Sequence, residues 1–300
     1  MNRRGRETFS TYHPLVNMLY FALVFGCAMF FLHPVCLALS LSGAFGYALY
    51  LDGGKAVRFA LLYMLPLLLL TALLNPAFNH EGETILLYMR DGNPLTLESI
   101  LYGAAAAFML ITVIFWFNCY NAVMTSDKFV YLFGRLIPAL SLVLSMALRF
   151  APRFRDQIKV IANGQRGLGR DPGRGNLWRR ARQGLRLLSI LVAWALENAV
   201  ETADSMKSRG YGLPGRSAFS IYRFDGRDRR ALLFIALCGA YILRGAAAGG
   251  LRFTFFPALS GAGADPYSLS LFAVYGLLCF TPLFINGREE YRWKSFVSKI

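Results

Sequence analysis

ILVAWALENAVETADSMKSRGYG, residues 190–212, is the stretch that decides how this chain is read. Upstream and through it, Leu185, Leu188, Val192, Leu196, Ala199, Ala203 and Met206 recur at intervals of three and four. That spacing predicts an amphipathic helix over residues 185–208. A stripe of this kind packs against a neighbour, expected here in residues 139–161 and the underside of a membrane bundle. The helix runs out in Ser208-Arg209-Gly210-Tyr211-Gly212. Glycine just past a helix end takes the left-handed conformation cheaply, and a cation there complements the negative end of the helix dipole.

Outward from this stretch, charge and hydropathy separate. Residues 128–230 carry 20 of the 32 Lys+Arg against 7 acids, which supplies most of the net charge of +15. Such a segment suits nucleic acid, anionic lipid or plain cytoplasmic residence. Hydrophobic residues make up 56% of the chain. They gather in blocks of span length at residues 16–32, 35–51, 59–74, 100–120, 231–248 and 268–285, so the expected fold is all-α, polytopic and membrane-embedded, with about six spans. His33-Pro34 breaks the first pair, and Asn75-Pro76 is expected to stop the third. Pro66 within that span is tolerable where neighbours re-satisfy the backbone.

Alternate loops differ consistently in charge. The N-terminus (Arg3, Arg4, Arg6), the Lys55/Arg58 turn, the basic segment and the tail (Arg288, Arg292, Lys294, Lys299) fall on one side. His33-Pro34, the loop at 77–97 with Glu81, Glu83 and Asp91, and the Gly/Ala-rich loop at 249–267 fall on the other. The positive-inside rule places both termini and the basic segment in the cytoplasm. The chain divides into residues 1–126 (spans one to four), 127–230 (a cytoplasmic coupling-helix layer) and 231–300 (spans five and six with a basic tail). The first apolar block has no small-residue cleavage site after it and reads as a span, not a leader.

The five cysteines lie within or beside apolar blocks without close pairing, and His13, His33 and His80 are isolated. Neither a metal site, a cofactor site nor a catalytic constellation is suggested. Gly210-Tyr211-Gly212-Leu213-Pro214-Gly215-Arg216-Ser217 imitates a phosphate loop, but it follows a helix and contains proline, whereas a phosphate loop follows a strand and opens a helix.

Within the basic segment, residues 129–148 are apolar and Pro152 suits the first turn of a new helix. Residues 152–163 place Phe154, Ile158 and Ile161 on one side, and 164–175 read as a Gly/Arg-rich loop. Arg149 and Arg153 are four apart, as are Glu197 and Glu201; like charges at that spacing repel unless paired elsewhere. Either they pair across a helix crossing or both faces are solvated. Gln165-Arg166-Gly167, like Ser208-Arg209-Gly210, is an Arg-Gly at a helix end.

Several stretches together resemble one family, the transmembrane T component of energy-coupling factor (ECF) transporters, EcfT, related to the cobalt-transport protein CbiQ. They are His13-Pro14, Pro66 with Asn75-Pro76, Ala147-Leu148-Arg149-Phe150-Ala151-Pro152, Glu197-Asn198-Ala199, and Ser208 to Gly212. The resemblance implies a non-catalytic scaffold in a prokaryotic plasma membrane. Its partners would be two ABC ATPase subunits, of A and A′ type, and a small membrane-embedded S component that binds a vitamin or metal ion. It also implies that two Ala-Arg-Gly-type motifs end the coupling helices and sit in grooves of the ATPases. Ser208-Arg209-Gly210 matches the second motif; Gln165-Arg166-Gly167 is taken as the first and carries Gln165 where alanine is usual. A guanidinium suits the task, since its fixed charge and five donors hold carboxylates or carbonyls in a groove. The rival readings are a stand-alone secondary transporter or channel, which would place ionisable groups in mid-membrane, and a nucleic-acid-binding anchor. In the second case the aromatics of the segment, at helical core-like positions, do not form a stacking platform.

Overall fold

The structure, a computed structural model, describes residues 7–88, 94–134, 138–170, 176–211, 213, 222–261 and 265–297. Two compact units divide the chain, one of Met1–Thr125 with Tyr222–Ile300 and one of Ser126–Ile221. The first unit holds α1 (Pro14–Phe30), α2 (Pro34–Asp52), α3 (Gly54–Phe78), α4 (Leu97–Val123), α8 (Gly226–Ala247) and α9 (Pro266–Val297). The second holds α5 (Ser126–Gly134), α6 (Pro138–Gly167) and α7 (Leu177–Ser208). Helices α2, α3, α4, α8 and α9 are long and apolar enough to cross a membrane, and α1 is a shorter apolar helix of 17 residues. The chain is therefore an all-α polytopic membrane protein.

Helix ends in the first unit are closed by the residues the sequence puts there. His13 and His33 each cap a helix opened by proline, their Nδ1 atoms accepting from Leu15 N and Val35 N at 3.3 Å. Proline at the first helical position forfeits a donor that has no partner there anyway. Thr96 caps α4 through Ser99 N at 3.4 Å, as its Thr-Leu-Glu-Ser sequence predicts. Asp225 and Asp228 form a capping box at the start of α8.

Both prolines of the third span are absorbed inside α3. Residues 60–64 form a π-turn, with Leu65 N donating to Ala60 O five residues back, one turn before Pro66. Asn75-Pro76 does not end the helix, which runs on to Phe78. Pro76 leaves the Ala72 carbonyl without its helical donor, and α4 crosses closest there. A Cβ on Gly103 would lie 2.8 Å from Ala72 O. Asn75 Nδ2 donates to Ser99 O at 2.9 Å and Ser99 Oγ to Asn79 O at 2.6 Å, which ties the start of α4 to the end of α3 on either side of Pro76. The loop at 77–97, expected to be polar and irregular, contains an antiparallel hairpin of β1 (Ile85–Tyr88) and β2 (Pro94–Thr96). Its Arg90 and Asp91 lie outside the described residues. A second small hairpin, β3 (Phe253–Thr254) and β4 (Ser260–Gly261), lies in the 249–267 loop.

An aromatic core joins α1, α2 and α4. Tyr20 and Phe21 meet the Trp116 ring edge-on at 6.2 and 6.3 Å, and Trp116 Nε1 donates to Ser40 Oγ at 3.0 Å. Phe9 is 1% exposed and packs edge-on against Tyr20 and Tyr47. Glu7, Phe9, Tyr12 and His13, ahead of α1, are thus part of the core. Asn286 of α9 accepts Thr8 N and Phe9 N at 3.0 and 3.1 Å, Asp228 of α8 accepts His13 N at 3.0 Å, and the Tyr47 hydroxyl meets the Glu7 carboxylate. Arg227 lies over the Tyr12 ring at 4.3 Å and donates to Thr11.

In the second unit, Pro138 and not Pro152 opens the helix. Pro138 stands at the first position of α6, where the missing N–H costs little, while Pro152 is carried in the middle of a continuous 30-residue helix.

Two measurements test this packing. Gly103→Ala should lower the thermal stability of the purified protein in detergent by an amount equivalent to about 1–3 kcal/mol, whereas Gly26→Ala, with nothing within 4 Å of the added carbon, should not. Burial holds the His33 imidazole below its ordinary pKa. Its neutral form therefore contributes stability above about pH 6.5, and that contribution is lost as pH falls through the folded-state value. Melting temperature should drop on acidification, and His33→Asn, which caps without titrating, should remove that part of the drop.

Candidate coupling tips

The second unit is organised by one helix crossing. Phe154 of α6 meets Trp194 of α7 edge-on at 6.0 Å, with Phe150 stacked on Phe154 at 5.9 Å. Arg153 lies over the Trp194 ring at 5.6 Å. Asn198 Nδ2 bonds back to Trp194 O at 2.9 Å, and Thr202 Oγ1 to Asn198 O at 2.6 Å, which keeps the polar groups near the crossing paired along α7. Arg149, Arg153, Glu197 and Glu201 are all exposed, and none of the four forms an ion pair among the described residues. The cross-helix pairing is replaced by a cation–π contact. An exposed ion pair gains little and orders two long side chains, whereas Arg153 covers a ring already held in the crossing.

The apolar stripe does not make the contact with α6 that its spacing predicts. Leu185, Leu188, Val192 and Leu196 are exposed, at 68%, 54%, 49% and 64%, and Ala199 and Ala203 are exposed as well. The side of α7 turned to α6 carries Trp194, Leu187 and Gln183 instead. Helix α7 has two apolar sides, and the one bearing the tryptophan makes the packed contact.

Both long helices end in the same hydrogen-bonded motif. At the end of α7, Tyr211 N donates to Met206 O and Gly210 N to Lys207 O, both at 3.0 Å, with Gly210 at φ +76°. At the end of α6, Arg170 N donates to Gln165 O and Gly169 N to Arg166 O, both at 2.9 Å, with Gly169 at φ +73°. These paired bonds across a left-handed glycine define the Schellman cap. They also fix a register. Arg209 is the residue just before the cap glycine of α7, and the same place at the end of α6 is held by Leu168. Arg166 stands two residues earlier, inside the helix, with its Nη1 on Asn163 Oδ1 at 3.4 Å. Gly167 is the last helical residue and not the left-handed one. Gln165 is turned toward α7, lining a small cavity with Arg170, Gln183, Arg186 and Leu187.

The two tips are thus built alike and populated differently. Leu168 is 68% exposed at the first, and Arg209 is exposed at the second, where Ser208 Oγ bonds back to Ser205 O at 2.9 Å. Of the sequence that imitates a phosphate loop, Gly210, Tyr211 and Leu213 continue the end of α7 as a turn. Gly212 and residues 214–217 lie outside the described residues. Among the described residues no three His, Cys, Asp or Glu side chains stand close enough to hold a metal ion.

The chain is thus a multi-span helical protein with a second unit in which two crossed helices each end in a glycine cap. The cobalt transport protein family, CbiQ, matches residues 8–220, and the chain belongs to it. It is similar to the energy-coupling factor transporter transmembrane protein EcfT of Lacticaseibacillus paracasei, 36% identical over 110 residues, covering 36% of this chain and 40% of that one. The protein of the same description from Lactobacillus helveticus is 35% identical over 109 residues, covering 36% and 39%. That of Lactococcus lactis subsp. cremoris is 34% identical over 99 residues, covering 33% and 36%. The matched stretch therefore spans 36–40% of the length of these relatives.

The cap register makes a discriminating prediction. Gly169→Ala should fray the end of α6, costing about 1 kcal/mol, because alanine at positive φ is strained. Gly167→Ala should be neutral or stabilising by up to about 1 kcal/mol, because that residue is helical. Amide hydrogen exchange at Arg166, Gly169 and Arg170 reads the difference directly.

Proposed function

We propose that this chain is the T component of an ECF-type importer, the transmembrane scaffold that couples separate ATPases to a substrate-binding membrane subunit. Residues 128–230 and both termini lie in the cytoplasm on this reading. The tips of α6 and α7 dock on two ABC ATPase subunits, and ATP-driven closure of those subunits moves the helices as levers. An S component in the membrane binds the transported vitamin or metal ion. The chain itself performs no catalysis.

The pair of capped tips at the ends of two crossed helices carries this reading. A Schellman cap removes the fraying that would otherwise let a helix end yield under load. A rigid end bearing a permanently charged fork can hold a groove through a rotation and transmit it. Membership in the cobalt transport family and the likeness to EcfT proteins support the same assignment.

The test is reconstitution with the pair of ABC ATPase subunits that co-purifies with the tagged protein. Arg209→Glu should cost about 2–5 kcal/mol of docking, the scale for truncating or reversing a hydrogen-bonded interfacial charge. ATPase co-purification and uptake should fall together while membrane insertion survives. Arg166→Glu should have a smaller effect, because that guanidinium already bonds back to Asn163 within its own helix, and the Arg166/Arg209 double reversal should abolish uptake. Normal uptake in the double variant would overturn the coupling role.

A further inference from the structure

We infer that the N-terminal part of α7, residues 177–188, is an interfacial helix that rests in the headgroup layer of an anionic bilayer. Docking of the helix tips does not absorb this stretch. Arg179, Arg180, Arg182 and Arg186 follow one another with no acid between Asn176 and Glu197. All four are exposed, and none forms an ion pair among the described residues. Leu177 and Trp178 beside them are 79% and 83% exposed.

The placement of these residues around the helix is what points to a lipid surface. At about 100° per residue, Leu177, Leu188, Leu185 and Trp178 fall within one strip roughly 100° wide. Arg180 borders it on one side and Arg182 on the other, with Arg179 and Arg186 behind them. The far side, with Gln183 and Leu187, is the one occupied by α6. The strip is therefore not the side of α7 that packs on α6. An apolar strip with an exposed tryptophan, flanked by arginines whose stems can lie along it and whose heads can reach outward, matches the chemistry of the boundary between acyl chains and headgroups.

Charge confines the contact to this half of the helix. Farther along, Glu197, Glu201 and Asp204 replace the arginines, and an anionic surface would repel that half. The partner selected is thus a surface of negative headgroups that also offers hydrocarbon, and α7 is attached to it at one end only.

The experiment uses the full chain in nanodiscs of phosphatidylcholine, alone or with about 30% phosphatidylglycerol. Trp178 is read as the difference between the protein and its Trp178→Phe variant, with bromine-labelled acyl chains as quencher. In discs containing phosphatidylglycerol, Trp178 should emit to the blue and be quenched. The quenching should weaken in about 0.5 M salt, where surface attraction is screened. Arg180→Gln and Arg182→Gln, which flank the strip, should each lower headgroup occupancy about fivefold, and Arg179→Gln and Arg186→Gln by less. The tryptophans other than Trp178 report whether the fold is kept. Water-like emission of Trp178 in both kinds of disc would overturn the inference, as would quenching indifferent to phosphatidylglycerol and to the arginines. Protection of Trp178 only when ATPase subunits are added would assign the surface to a protein and also overturn it. None of these outcomes bears on Arg209, which lies at the other end of the helix.

Discussion

A backbone N–H or C=O that leaves a helix inside a bilayer has no water to turn to, and the packing of the spans follows from that shortage. Every helix end must be closed by something the chain carries with it. Histidine closes α1 and α2, Thr96 closes α4, a pair of aspartates closes α8, and left-handed glycines close α6 and α7. Where proline opens a gap inside α3, a π-turn precedes Pro66 and the flank of α4 meets the carbonyl left by Pro76. At the exposed ends of the crossed helices the closure is local, a pair of backbone bonds across a left-handed glycine.

Within the second unit, electrostatics and packing divide the work. The crossing is held by Phe154, Trp194 and the Arg153 guanidinium, not by carboxylates. That leaves the acids of α7 on one half of its surface and the arginines on the other, so the helix is a long dipole of side-chain charge as well as of backbone. The tips share a scaffold and differ in cargo, with a leucine at one cap and an arginine at the other. On the proposed coupling role, the two grooves that receive them need not be chemically alike.

The spans were legible because apolar blocks of that length have few other uses, and the tip at Arg209 was legible because one glycine follows one long periodic helix. The tip of α6 was not. Gly164, Gly167 and Gly169 all stand in reach of its end, and only the bonds from Gly169 and Arg170 back into the helix single out Gly169. A proline likewise announces a helix start without saying which start, and Pro138 prevailed over Pro152. The packed side of α7 was misjudged because the more regular stripe, at Leu185, Leu188, Val192 and Leu196, is the exposed one, while a single tryptophan decides the contact. Nothing local in the sequence marks the partners of Glu7, Thr8 and Phe9.

Those partners are far along the chain. The amides of Thr8 and Phe9 share one acceptor, the side chain of Asn286, 278 and 277 residues away. During synthesis this knot cannot be tied until α9 has been made and inserted. Residues 8 and 9 therefore find their place only after α9 has found its own, and the core around Tyr20 and Tyr47 stays unsealed until then. Assembly of this bundle is a closing ring, completed when α9 meets the residues ahead of α1.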